Sequence, residues 1–122
     1  MSGKIVVIDD EVPILEVLQE LLEMEGYSVA AFDHPAVALE RETDLHADLF
    51  VIDIMLPESS GIEVAKHLRD NGFASTPMVA TSASPLMVKF ASESGVFDHV
   101  LEKPFDAVQL LEFVAGQVAV TA

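Results

Sequence analysis

The chain has no cysteine, a single tyrosine, and only 6 lysines and arginines against 21 aspartates and glutamates in 122 residues. Without cysteine there are no disulfides, no thiolate metal sites and no cysteine nucleophiles. An uncrosslinked domain suits the cytoplasm. The shortage of positive charge leaves a formal net charge of −15. Such a surface repels phosphate backbones, which excludes direct nucleic-acid binding, and it argues against docking on an anionic membrane. A basic or metal-charged partner fits better. No apolar run approaches a membrane span, and Met1 to Lys4 lead into a short apolar segment that stops at Asp9-Asp10, unlike a signal peptide. Repeats, low-complexity tracts and linkers are also missing. What is present is a hydrophobic content of 51%, enough to exclude disorder and to build one domain over residues 1–122.

Apolar runs alternate with helical patterns throughout. Ile5 to Ile8 is a continuous β-branched run, as expected of a strand buried on both faces. Ile14, Leu15, Leu18, Leu21 and Leu22 then recur at helical spacing, with Pro13 in the first turn and Gly26 as the stop. Further strands are predicted at Tyr27 to Phe32, Leu49 to Ile52, Met78 to Ala80 and Phe97 to Leu101. Helices are predicted from Pro35 to Glu42, after Gly61 with Ile62, Ala65 and Leu68 on one face, and from Pro85 to Gly95. A last helix is led by Pro104, with Val108, Leu111, Ala115 and Val118 facing inward. Five βα units imply an α/β fold, a doubly wound parallel sheet with helices on both faces, and are too few for an eight-stranded barrel. In such a sheet function lies beyond the carboxyl ends of the strands, at the switch point.

Those strand ends carry Asp9-Asp10-Glu11, Asp53, Thr81-Ser82 and Lys103-Pro104. If the strand order is 2-1-3-4-5, Asp9, Asp10 and Asp53 converge in one shallow cleft beside a hydroxyl and an ammonium. Two carboxylates ~4 Å apart repel by roughly 4 kcal/mol at an effective dielectric near 20. Lys103 or a hard divalent cation such as Mg²⁺ must offset this. Each residue alone has a plainer reading: Asp9 and Asp10 as helix caps, Asp53 as a loop acid, Ser82 as a turn hydroxyl, Lys103 as a surface lysine. Met55, Met78 and Met87 are expected to pack, and His34, His46, His67 and His99 show no ligand spacing. The coincidence of acids, hydroxyl and lysine at four strand ends favours the functional reading.

Ile5-Val6-Val7-Ile8-Asp9-Asp10-Glu11 resembles the opening of a response-regulator receiver domain. Asp53-Ile54-Met55-Leu56-Pro57-Glu58-Ser59-Ser60-Gly61 resembles its D-x-x-x-P-x-x-x-G loop, and Lys103-Pro104-Phe105 its K-P-F ending. The resemblance covers essentially the whole chain and implies a CheY-like, flavodoxin-like (βα)5 fold. It further implies that Asp53 accepts a phosphoryl group from a sensor histidine kinase or a histidine phosphotransfer protein. Asp10, Asp53 and the backbone carbonyl of Met55 would bind Mg²⁺, with Asp9 acting through a metal-bound water. Lys103 would pair with Asp53 and then with the phosphoryl group, and a hydroxyl on the fourth strand would hold a phosphoryl oxygen. An output protein or domain would read the switch. The chain would catalyse nothing beyond its own phosphorylation and dephosphorylation.

Counting from Pro77 makes that hydroxyl Ser82, the preferred choice, whereas counting back from Lys103 makes it Thr81. Val100 stands where the family usually has an aromatic residue, and the glycine before the fifth strand, Gly95, is displaced by one. Three other functions fit these residues less well. A flavin or nucleotide binder would want a glycine- or hydroxyl-rich loop after the first strand, where this chain has three acids. An aspartyl phosphohydrolase would want a second Asp where this chain has Met55. A pure interaction module would not need the full acid and lysine set.

Overall fold

A computed structural model describes residues 3–41, 46–56 and 59–118. Its sheet consists of β1 (Lys4–Ile8), β2 (Ser28–Phe32), β3 (Leu49–Asp53), β4 (Met78–Ser82) and β5 (His99–Glu102). All four pairings are parallel, and the strand order is β2-β1-β3-β4-β5. The uninterrupted apolar runs become the three central strands. β3 and β4 are buried at every residue and β1 at all but Lys4, because a strand covered by helices on both faces has no solvent side. The edge strands β2 and β5 are only partly covered.

The helices are α1 (Val12–Met24), α2 (Pro35–Glu40), α3 (Gly61–Asp70), α4 (Pro85–Ser94) and α5 (Ala107–Gln117). Alternate strand residues point to opposite faces. Ile5, Val7, Val51, Val79 and Leu101 meet Leu15, Leu18 and Leu22 of α1 and Leu110 and Val114 of α5. Val6, Ile8, Phe50, Ile52 and Met78 meet Ala38 of α2 and Val64, Ala65 and Leu68 of α3. Ile54, Ala80 and Ala91 form a smaller cluster under α4, with Val100 and Met87 against it.

Local chemistry sets the helix starts. Pro occupies the first turn of α1, α2 and α4, where its missing N–H is no loss. Ser60, Ser84 and Asp106 cap α3, α4 and α5 by accepting from Ile62, Met87 and Val108. The guanidinium of Arg69 donates to the carbonyls of Phe73, Ala74, Thr76 and Val96 and to Asp98, tying α3 to the loops that enter β4 and β5.

Several expectations are corrected. The last helix begins at Ala107 behind Asp106, not at Pro104, and buries Leu110 and Val114 while Val108 and Ala115 are exposed. Its sequence is apolar on two sides, so helical spacing alone could not choose the face. Tyr27 precedes β2, and its hydroxyl donates to the carbonyl of Val118 at 3.1 Å. β5 starts two residues later than Phe97. Glu42, Pro57 and Glu58 lie outside the described residues. Among the described residues, no helix is long and apolar enough to cross a membrane.

Candidate functional site

The strand order reverses between β1 and β3, whose last paired residues are Ile8 and Ile52. Asp9 and Asp53 follow these two residues, so their carboxylates emerge side by side at the carboxyl end of the sheet. Both are buried, and Asp10 beside them is exposed. One oxygen from each of Asp9, Asp10 and Asp53 lies within 4.8 Å of the others, a spacing that can hold a metal ion.

The Lys103 ammonium enters this cleft from the far side of β4. It donates to Asp9 Oδ2 at 2.9 Å, to Glu11 Oε1 at 3.2 Å and to Asp53 Oδ2 at 3.2 Å. Its three protons are thereby used. The Lys103 side chain is only 8% exposed. Burial opposes its charge, but the hydrogen bond and charge of Asp9, then Asp53 and Glu11, outweigh this and raise its pKa. The Asp53 carboxyl is shifted upward. Burial pushes it from 3.8 to about 6; Lys103 and the Met55 N–H pull it down, and the charge of Asp9 pushes it up.

Turns at the strand ends fix the carboxylates. Asp53 Oδ1 accepts from the backbone N–H of Met55 at 3.1 Å, and Asp9 Oδ1 from that of Glu11 at 2.9 Å. Asp9 therefore holds a turn, and neither it nor Asp10 caps α1, whose cap residue is Glu11 without a side-chain bond. The glycine of the loop motif has a steric reason. Gly61 N–H donates to the carbonyl of Ile54 at 2.7 Å, and a Cβ on Gly61 would lie 2.7 Å from Ile54 Cα and closer still to the Asp53 carbonyl. Only glycine lets α3 start this near the end of β3.

Both hydroxyls of β4 are buried, but on opposite faces. Ser82 shares a face with Ala80, and its Oγ accepts from Ser84 N–H at 3.1 Å. Thr81 shares the face of Val79, is paired in register with Asp53, and its Oγ1 has no hydrogen-bond partner. Met55 does not pack as expected: it is 56% exposed, whereas Met78 is buried and Met87 partly so. Sequence reasoning also missed Glu11 as the third partner of Lys103, although the acid run had placed it at the same strand end. An apolar cleft of about 510 Å³ opens beside Glu11 and Lys103, lined by Pro13, Ile14, Val17 and Phe105.

Buried carboxylates, a buried lysine and a hydroxyl at the switch point of a doubly wound sheet define the class to which this molecule belongs. The chain belongs to the response regulator receiver domain family, whose model matches residues 5–115. It is 30% identical over 118 residues to the DNA-binding response regulator MtrA of Mycobacterium tuberculosis, covering 97% of this chain and 51% of that protein. It is 32% identical to the response regulator MprA of Mycobacterium bovis, over 91% of this chain and 48% of that one. The chain thus spans about half the length of the curated relatives it matches. The response regulator TrrA of Thermotoga maritima, solved in complex with Mg²⁺ and BeF, superposes with a TM-score of 0.84 at 30% identity, covering 94% of this chain and 98% of that one. A CheY-like receiver domain protein of Methanospirillum hungatei shares the fold at a TM-score of 0.86 and 23% identity, over 95% and 93% of the two chains.

Proposed function

We propose that the 122 residues form one cytoplasmic receiver domain. Asp53 takes a phosphoryl group from a histidine kinase or histidine phosphotransfer protein, and the change alters the binding of an output protein or domain. The observation that carries this is the buried Asp53 carboxylate, 3.2 Å from Lys103 and within 4.8 Å of Asp9 and Asp10.

Hard carboxylate oxygens, with Asp10 open to solvent, fit Mg²⁺. Asp10, Asp53 and the Met55 carbonyl would hold it, with Asp9 behind through water. Bound there, Mg²⁺ neutralises charge on phosphoryl oxygens. The chain's own residues do the rest. An Asp53 oxygen attacks phosphorus as the bond from phosphorus to the donor histidine nitrogen breaks. The Lys103 ammonium moves from carboxylate to phosphoryl oxygen, and a β4 hydroxyl donates to another. Ser82 suits that hydroxyl better than Thr81, because it shares a sheet face with Val100 and α4 and so links the cleft to a surface. Attack by water restores Asp53, so the chain turns over only its own phosphoryl group.

The apolar cleft beside Lys103 gives a protein donor a surface within reach of Asp53. With a net charge of −15, the output passes by protein contact and not by this chain touching nucleic acid. The test is intact mass after incubation with acetyl phosphate and Mg²⁺. Wild type should gain one base-labile phosphoryl group, and Asp53→Asn none. A variant that gains it at the wild-type rate refutes the acceptor.

A further inference from the structure

The structure leaves one polar side-chain atom in the cleft region unexplained. Thr81 is 1% exposed, and its Oγ1 is the one buried side-chain oxygen or nitrogen among the described residues without a hydrogen-bond partner. An unpaired buried hydroxyl is destabilising, and an isosteric valine would remove the penalty. The position of Thr81 gives the hydroxyl a use. Paired residues of parallel strands project to the same face, so Thr81 stands beside Asp53 on the face of α1 and α5. Lys103 follows β5, yet its ammonium bonds Asp53 and Asp9 at the ends of β3 and β1. Strands are ~4.8 Å apart, so the lysine side chain must cross β4 to get there. Thr81 is the last β4 residue on the face of Asp53.

A second fact creates the need. Asp9 and Asp53 are the two buried partners of Lys103 and also two of the three possible metal ligands. A cation and the ammonium compete for the same oxygens. When the carboxylates turn to a cation, Lys103 loses acceptors inside a poorly hydrated cleft. We propose that Thr81 is a positioning residue for Lys103: its free hydroxyl oxygen accepts the ammonium when the carboxylates are engaged by a divalent cation. The inference rests on the proposed magnesium site and assigns a second β4 hydroxyl to it, distinct from the Ser82 role.

The test compares wild type, Thr81→Val, Thr81→Ser and Asp10→Ala by calorimetric titration with MgCl₂ and by thermal melting in chelator. Thr81→Val should melt at or above the wild-type temperature without metal, since the hydroxyl has no partner there. It should bind Mg²⁺ about three- to tenfold more weakly, the worth of one hydrogen bond. Thr81→Ser, which keeps the hydroxyl, should bind as wild type does. If Thr81→Val binds Mg²⁺ normally while Asp10→Ala does not, the Thr81 role is wrong and the metal site stands. If valine and serine weaken binding equally, the effect is packing and the role is again wrong. If wild type takes up no Mg²⁺, the proposed magnesium site falls and the inference with it.

Discussion

Asp53 is held in a form that favours its proton: burial lifts its carboxyl from 3.8 to about 6 despite a lysine 3.2 Å away. Between these values the folded chain binds the proton more tightly than the unfolded chain does. Its contribution to stability is therefore full below about pH 4 and is lost as pH rises through about 6, a loss on the order of 3 kcal/mol. Asp53→Asn should raise the melting temperature of metal-free protein by several degrees at pH 7.5 and by much less at pH 4.5. Lys103 retains Asp9 and Glu11 in that variant. Equal melting of the two proteins at pH 7.5 would show that the charged carboxylate is not strained by burial. Met55 gives a second prediction at this scale. Its side chain is apolar and 56% exposed two residues after Asp53, the proposed acceptor, so it offers no group to orient an attacking water. A phosphoryl group placed on Asp53 should be long-lived, and Met55→Asn should shorten its lifetime by supplying an amide. Equal decay of the two proteins, followed by mass, would put water orientation elsewhere.

At the scale of elements, the cleft depends on how closely α3 begins against the end of β3. Gly61→Ala would drive a methyl into the Asp53 and Ile54 backbone. Urea denaturation should show a loss of about 2–4 kcal/mol. Phosphorylation should slow as well, because the displaced backbone carries Asp53, the proposed acceptor. An alanine variant of unchanged midpoint would mean the loop yields without strain. This contact also explains why the loop motif could be read from sequence, since a glycine eight residues after Asp53 is a spacing that a one-dimensional pattern records. β1, β3 and β4 were equally legible, because burial on both faces writes continuous apolar runs. The face of α5 was not, because Val108, Leu111 and Ala115 make a second apolar stripe beside the buried Leu110 and Val114, and spacing alone does not choose between the two. Nor was the web of bonds from Arg69, whose partners are mostly backbone carbonyls that any residue could supply. The roles proposed for the two β4 hydroxyls turn on which sheet face each occupies, and adjacent residues of a strand take opposite faces whatever their names.

For the molecule as a whole, the question is how a charge change at one end of the sheet reaches a surface that a partner can read. A new phosphoryl group brings roughly two negative charges to the cleft. Ser82 lies at the end of β4 on the face of α4, with Ala80, Ile54, Ala91 and Val100 packed beneath that helix. Drawing the Ser82 hydroxyl toward a phosphoryl oxygen would break its bond from Ser84 N–H, and Ser84 also caps α4. A local move thereby loosens the start of a helix that presents Leu86 and Phe90, both more than half exposed. Val100 is branched at Cβ, with a stiff χ1 and a short reach, so it cannot swing between an exposed and a buried site as a larger ring would. The route should run through the residues from Thr81 to Pro85 and α4 and not through Val100. The check is amide NMR shifts on adding Mg²⁺ and beryllofluoride as a phosphoryl mimic. Val100→Ala should keep shifts at Leu86 and Phe90, and at the stacked His99–Phe113 pair between β5 and α5. Ser82→Ala should keep the shifts at Asp53 and Lys103 but lose those along α4. A response that survives in Ser82→Ala and disappears in Val100→Ala would place the switch on β5 instead.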